Sequence, residues 1–225
     1  MNSNKSSRTC FGIGVYMKKY LSVFFFLQLI VLTSCTTDAG EWSASDVCPE
    51  SKRGTFVDER DGQVYKYTTI GDQVWMAENL KYDVEGSLCY YEEDDCRAMG
   101  RTYSVYSASC PLGWHIPNEA EWNRLFDAVG GDSMANVRLK SSSGWTVLNP
   151  EDDPNGTDEC GFSVSYAKYG YEDHYFDTPY LVSPENTQGQ EMSCLDVYFC
   201  SYDRGFKYQR VICSFSNLYV RCVKD

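Results

Sequence analysis

Cys110-Pro111-Leu112-Gly113-Trp114-His115-Ile116-Pro117-Asn118-Glu119-Ala120-Glu121-Trp122-Asn123-Arg124-Leu125-Phe126 reads as a helix with its lead-in. Asn118, just after Pro117, offers a side-chain oxygen as N-cap, and Glu121 three residues on can reach back to complete a capping box. Trp122, Leu125, Phe126 and Val129 recur at i, i+3, i+4 and i+7, which lays one apolar stripe along the helix. Gly130-Gly131 then supplies residues able to take the left-handed conformation that stops it.

Outward from this helix the pattern shortens to β runs. Phe56-Val57 and Val64–Ile70 flank Asp61-Gly62, and Gly71-Asp72 separates the second run from Val74-Trp75-Met76, which predicts two consecutive hairpins. Cys89 and Cys96 bracket an acidic loop, Glu92-Glu93-Asp94-Asp95, read as a solvated turn. A short helix is predicted around Tyr103–Ser109. Past Leu139 no helical period remains, and the tail alternates strand and turn over Ser193–Tyr202, Lys207–Phe215 and Leu218–Val223. Two helices before a strand-rich C-terminal half make the domain α+β.

The chain has 225 residues, 43% of them hydrophobic, enough for one core. Met17-Lys18-Lys19, an apolar run from Tyr20 to Val31, and Leu32-Thr33-Ser34-Cys35 match a bacterial lipoprotein signal. The apolar run is short for a membrane span. The match implies diacylglycerol on Cys35 and further acylation of the new amino terminus, the multiple chains that stable anchoring needs. Residues 1–16 fit no such signal, so initiation at Met17 is expected. Residues 36–52 read as a polar tether and 53–225 as the domain. With Thr36 after the lipid-bearing cysteine, the expected destination is the outer membrane. Removing residues 1–35 takes Lys5, Arg8, Lys18 and Lys19 and no acid from a net charge of −12, leaving −16, a poor partner for nucleic acid.

Several ordered motifs resemble the Fibrobacter succinogenes major paralogous domain, whose signature is close to Cys-Pro-x-Gly-Trp-His-Leu/Ile-Pro-x-x-x-Glu-Trp, as in residues 110–122. The same resemblance covers Gly54–Tyr65, Gln73–Leu80, Leu139–Trp145, Asn155–Phe162 and Val220–Asp225. It implies a C-type lectin-like fold with N-terminal β-hairpins. Formylglycine-generating enzyme belongs to that group and carries a helix similar to Ile116–Trp122. The last strand is then expected beside the first. The resemblance speaks to fold and location and names no activity.

Candidate chemistry is sparse. Cys194 and Cys200 sit near the place of that enzyme's reactive cysteine pair, but their spacing puts five residues between them where the enzyme has four, so a strand presents them differently. A copper-dependent thiol oxidase is therefore the least favoured alternative, and no enzyme, cofactor or metal is expected. His115 reads as an imidazole packed under the helix start, and His174 has no nucleophile pattern around it. Residues 151–159 are rich in acids, yet an EF-hand register puts Phe162 where a bidentate glutamate is needed. A turn is the expected role. Tyr166, Tyr169, Tyr171, Tyr175, Phe176 and Tyr180 crowd a segment mixed with charges, as adaptable recognition loops do. Tyr169, Tyr171 and Tyr175 are the expected ligand contacts. The favoured function is a non-catalytic envelope module binding polysaccharide or surface glycoconjugate. The alternative is an adhesion or assembly protein that binds other envelope proteins.

Eleven cysteines with no paired C-x-x-C and only two histidines point to disulfides in an exported protein rather than zinc. Setting aside Cys10 and Cys35 leaves an odd number, so at least one is unpaired within the chain. The lectin-like resemblance pairs Cys110 with Cys222. Cys89 and Cys96 are expected to close their own loop. Among Cys160, Cys194, Cys200 and Cys213 two bridges are expected, Cys200–Cys213 preferred and Cys160–Cys194 following, with Cys48 left over.

Overall fold

A computed structural model of the chain describes residues 41–89, 93–145, 153–166, 177–183, 193–200, 206–212 and 217–225. Both N-terminal hairpins form. After α1 (Ala44–Val47) and a 3-10 turn at Glu50–Lys52, β1 (Gly54–Val57) pairs antiparallel with β2 (Val64–Ile70), and β2 with β3 (Gln73–Met76). Alternation decides the faces. Thr68 pairs with Trp75 on the side that enters the main core, while Tyr67 with Met76 and Phe56 with Tyr65 share the opposite side.

The acidic stretch expected as a turn instead leads into α2 (Glu93–Met99). No helix occupies Tyr103–Ser109. Thr102–Tyr103 is β4, and Ser104 and Ser107 then exchange hydroxyl and backbone hydrogen bonds that satisfy a turn in place of a helix. Trp114–His115 forms β5. α3 (Glu119–Ala128) begins with the expected capping box: the Asn118 side chain accepts from Glu121 N at 3.0 Å, and Glu121 accepts from Asn118 N at 2.9 Å. Trp122, Leu125 and Phe126 are buried, and the Trp122 ring meets Trp75 at 4.8 Å between centroids. Gly130 and Gly131 take φ of +97° and +88°, ending α3 and launching α4 (Asp132–Arg138), a helix with little apolar periodicity to announce it.

Past Leu139 the described residues hold strands and no helix: β6 (Asp177–Leu181), β7 (Ser193–Cys200), β8 (Phe206–Ile212), β9 (Leu218–Tyr219) and β10 (Val223–Lys224). The run expected as one final strand is split between two sheets. Leu218–Tyr219 joins the sheet ordered β4-β9-β6-β7-β8, and Val223–Lys224 joins β1-β2-β3-β10-β5. The closing strand therefore lies between β3 and β5, separated from β1 by two strands, and not beside the first strand. The architecture is α+β, with one core between α3 and the two sheets and a second around Tyr65, Met76, Tyr103 and Cys222.

Among the described residues three disulfides are formed: Cys89–Cys96 and Cys110–Cys222, both as expected, and Cys48–Cys160. Cys48–Cys160 replaces the expected Cys160–Cys194 pair and gives Cys48 a partner. Its physical reason is the packing of the N-terminal segment. Trp42 Nε1 donates to Ala128 O at 2.9 Å, the Arg138 guanidinium stacks 3.4 Å over the Trp42 ring, and Cys48 is buried beside Cys160. Residues from Trp42 onward thus pack into the domain that the sequence reading begins at residue 53. Cys213 lies outside the described residues, as does the side chain of Cys200, so their expected pairing falls there too.

Candidate functional site

The first sheet is strongly curled. Laid flat, its outer strands would stand about 19 Å apart, yet Phe56 of β1 stacks on Trp114 of β5 with centroids 4.4 Å apart and planes at 19°. This pair divides the concave face. On one side it caps the second core; on the other it opens into a groove of about 480 Å³ floored by Tyr67, Thr69 and Val74 and lined by Lys52 and Lys224. Each wall has a local cause. Gly54 lies opposite Tyr67 across the β1–β2 ladder, and a Cβ there would sit 2.7 Å from the Tyr67 hydroxyl, so only glycine lets the ring lie across the strand. Thr69 Oγ1 donates to Lys52 O at 3.0 Å and holds the turn bearing Lys52 over the floor. Lys224 pairs with Trp114 in the β10–β5 register.

Beside the groove, His115 is bonded at both ring nitrogens rather than simply packed. Nδ1 lies 2.6 Å from Asp225 Oδ1 and Nε2 2.8 Å from Glu121 Oε1. Partial burial acts to lower its pKa, but hydrogen bonds and charge from Asp225 and Glu121 prevail and raise it above the usual value. With both nitrogens facing carboxylates, the imidazolium is the favoured form. Glu121 serves twice, as capping residue of α3 and as partner of His115.

A second polar centre lies in the interior. Arg221 is wholly buried; its Nε and Nη2 donate to Asn79 Oδ1 at 3.1 and 2.7 Å, and Nη1 donates to Phe162 O. Tyr180 donates to the same Asn79 oxygen at 2.9 Å, and Asn79 Nδ2 donates to Met99 O at 2.7 Å. Burial pulls the Arg221 pKa down and pushes those of Tyr180 and Asp158 up. A cavity of about 210 Å³ adjoins this cluster, but all three guanidinium nitrogens already have acceptors. The cluster joins residues of three sequence motifs, and its role is to satisfy a charge taken out of water.

Asp158 shows what the acidic stretch does: it accepts from Ser163 N at 2.8 Å and Ser163 Oγ at 2.6 Å, shaping a turn. Among the described residues no three His, Cys, Asp or Glu side chains converge to hold a metal. Tyr166 meets Trp145 edge-on at 5.9 Å, and Tyr180 is core, so both ends of the tyrosine-rich segment are packing residues. Tyr169, Tyr171 and Tyr175 lie outside the described residues, as do His174 and the side chain of Cys194. Sequence reasoning missed the groove because Phe56, Tyr67 and Trp114 each look like ordinary core positions; the bare Gly54 opposite Tyr67 was the one local signal.

Comparison with curated proteins and with solved structures returns no match. The profile of the Fibrobacter succinogenes major domain matches residues 68–224, which takes in β3, α3, the Arg221 cluster and the closing strand. With well over half of its length in that match, the chain belongs to the Fibrobacter succinogenes major domain family.

Proposed function

We propose that the protein is a non-catalytic glycan-binding module, exported and lipid-anchored at Cys35 in the cell envelope, most consistent with the outer membrane. The observation that carries the binding reading is the open groove with Phe56, Tyr67 and Trp114 along it. The flat C–H face of a pyranose is apolar, and an aromatic ring held on a rigid sheet binds it with little ordering cost. Export is supported by the Met17–Cys35 signal and by a framework of disulfides, which persist in oxidising compartments. Among the described residues no helix is long and apolar enough to cross a membrane; attachment through lipid is supported by the Leu32-Thr33-Ser34-Cys35 run.

Affinity electrophoresis of the full-length chain through gels containing plant-wall and envelope polysaccharides tests the binding. Retardation is expected, and Trp114→Ala should abolish it. If no polysaccharide retards the chain while an envelope protein is captured specifically, the adhesion reading replaces this one. The anchor is tested separately by labelled fatty acid: Cys35→Ala should lose both the label and the membrane fraction.

A further inference from the structure

The groove carries charge that a neutral sugar would leave unused. Lys52 and Lys224 both line it and are both exposed, and among the described residues neither ammonium makes an ion pair. The acids nearest to them in sequence are committed elsewhere. Glu50 faces Arg53 at 3.9 Å, and Asp225 faces His115 at 2.6 Å. Two uncompensated cations beside stacked aromatics are out of keeping with a chain of net charge −12. At physiological ionic strength that global charge is screened over about 8 Å, so the local pair governs a ligand already in the groove.

We infer that the groove selects a carboxylate-bearing glycan, a polyuronate, over a neutral polymer of the same shape. This rests on the glycan reading above and adds the chemistry of its ligand. The aromatic rings take the pyranose faces, and the ammoniums of Lys52 and Lys224 take the carboxylates in charge-assisted hydrogen bonds. A point charge on a flexible stem suits carboxylates repeated along a chain, where strict bidentate geometry is not required.

The test compares polygalacturonate with the same polymer after its carboxylates are reduced to primary alcohols, titrated against the full-length chain by calorimetry. The wild type should bind polygalacturonate at least tenfold more tightly, with an affinity that falls as salt rises. Lys52→Met with Lys224→Met should remove that advantage and the salt dependence while leaving the reduced polymer bound as before. Trp114→Ala should weaken both. Equal affinity for the two polymers, or a uronate preference untouched by the lysine substitutions, would overturn the inference while leaving glycan binding in place. Failure of the wild type to bind either polymer would overturn the uronate inference, and the glycan reading would fall with it where no polysaccharide retards the chain in the electrophoresis.

Discussion

His115 couples three parts of the chain through one ring: β5 that carries it, Glu121 in the first turn of α3, and Asp225 beyond β10. Its folded pKa is raised from 6.5, so its contribution to stability is complete below the unfolded value and is lost as pH rises through the folded one. Half-exposure screens the pair, so the expected effect is a slope and not a collapse. Urea midpoints of the wild type should fall between about pH 6 and pH 8, the range in which imidazoles titrate. His115→Gln should flatten that profile. His174 is the one other imidazole in the chain, and His174→Gln should leave the slope as it is. Because Trp114 and Lys224 form the rung next to that of His115 and Val223, uronate affinity should weaken over the same interval.

α3 shows why part of the architecture was legible before any coordinates. Its cap, apolar stripe and terminal glycines all fall between Asn118 and Gly131, so local chemistry specifies it, and the structure forms all three. Asn118→Ala should cost about 1 kcal/mol in urea unfolding, the usual value of a lost N-cap, while the backbone N–H of residue 118 still donates to the Glu121 carboxylate. α4 was not legible: seven residues with Ala135 and Asn136 as their buried positions carry too short a stripe. The closing run was misread for a different reason. Its hydrophobicity continues through Val220 and Cys222, and only the buried Arg221, turned toward Asn79 and Phe162, marks where the chain leaves one sheet for the other. The groove lay still further out of reach, since Phe56, Tyr67 and Trp114 come from three strands and meet through the curl of the sheet. Two cysteine pairings were legible, Cys110–Cys222 through the resemblance and Cys89–Cys96 as its own short loop, but the partner of Cys160 was not: Cys48 sits in a polar, aperiodic stretch whose burial depends on Trp42 finding Arg138 and Ala128.

The domain is bound together by links between residues distant in sequence. Cys48–Cys160 and Cys110–Cys222 each close loops spanning 112 residues, and in the chain-entropy model one such closure stabilises by about 4–5 kcal/mol. The two loops overlap, and that arrangement sets how the protein would behave under tension. If the chain is held at its N-terminal side and pulled at its end, load enters at Cys48 and crosses at once to Cys160. The shortest covalent route then runs back along about 50 residues to Cys110 and crosses again to Cys222, where the uncrosslinked path would follow about 174. At roughly 3.4 Å per residue, complete unravelling between those cysteines lengthens the oxidised chain to about 170 Å and the reduced chain to about 600 Å. Optical-trap extension with and without reductant should show that ratio. A surface-held module engaged on a long polymer would in this way act as a short leash, keeping most of its length out of reach of the pull.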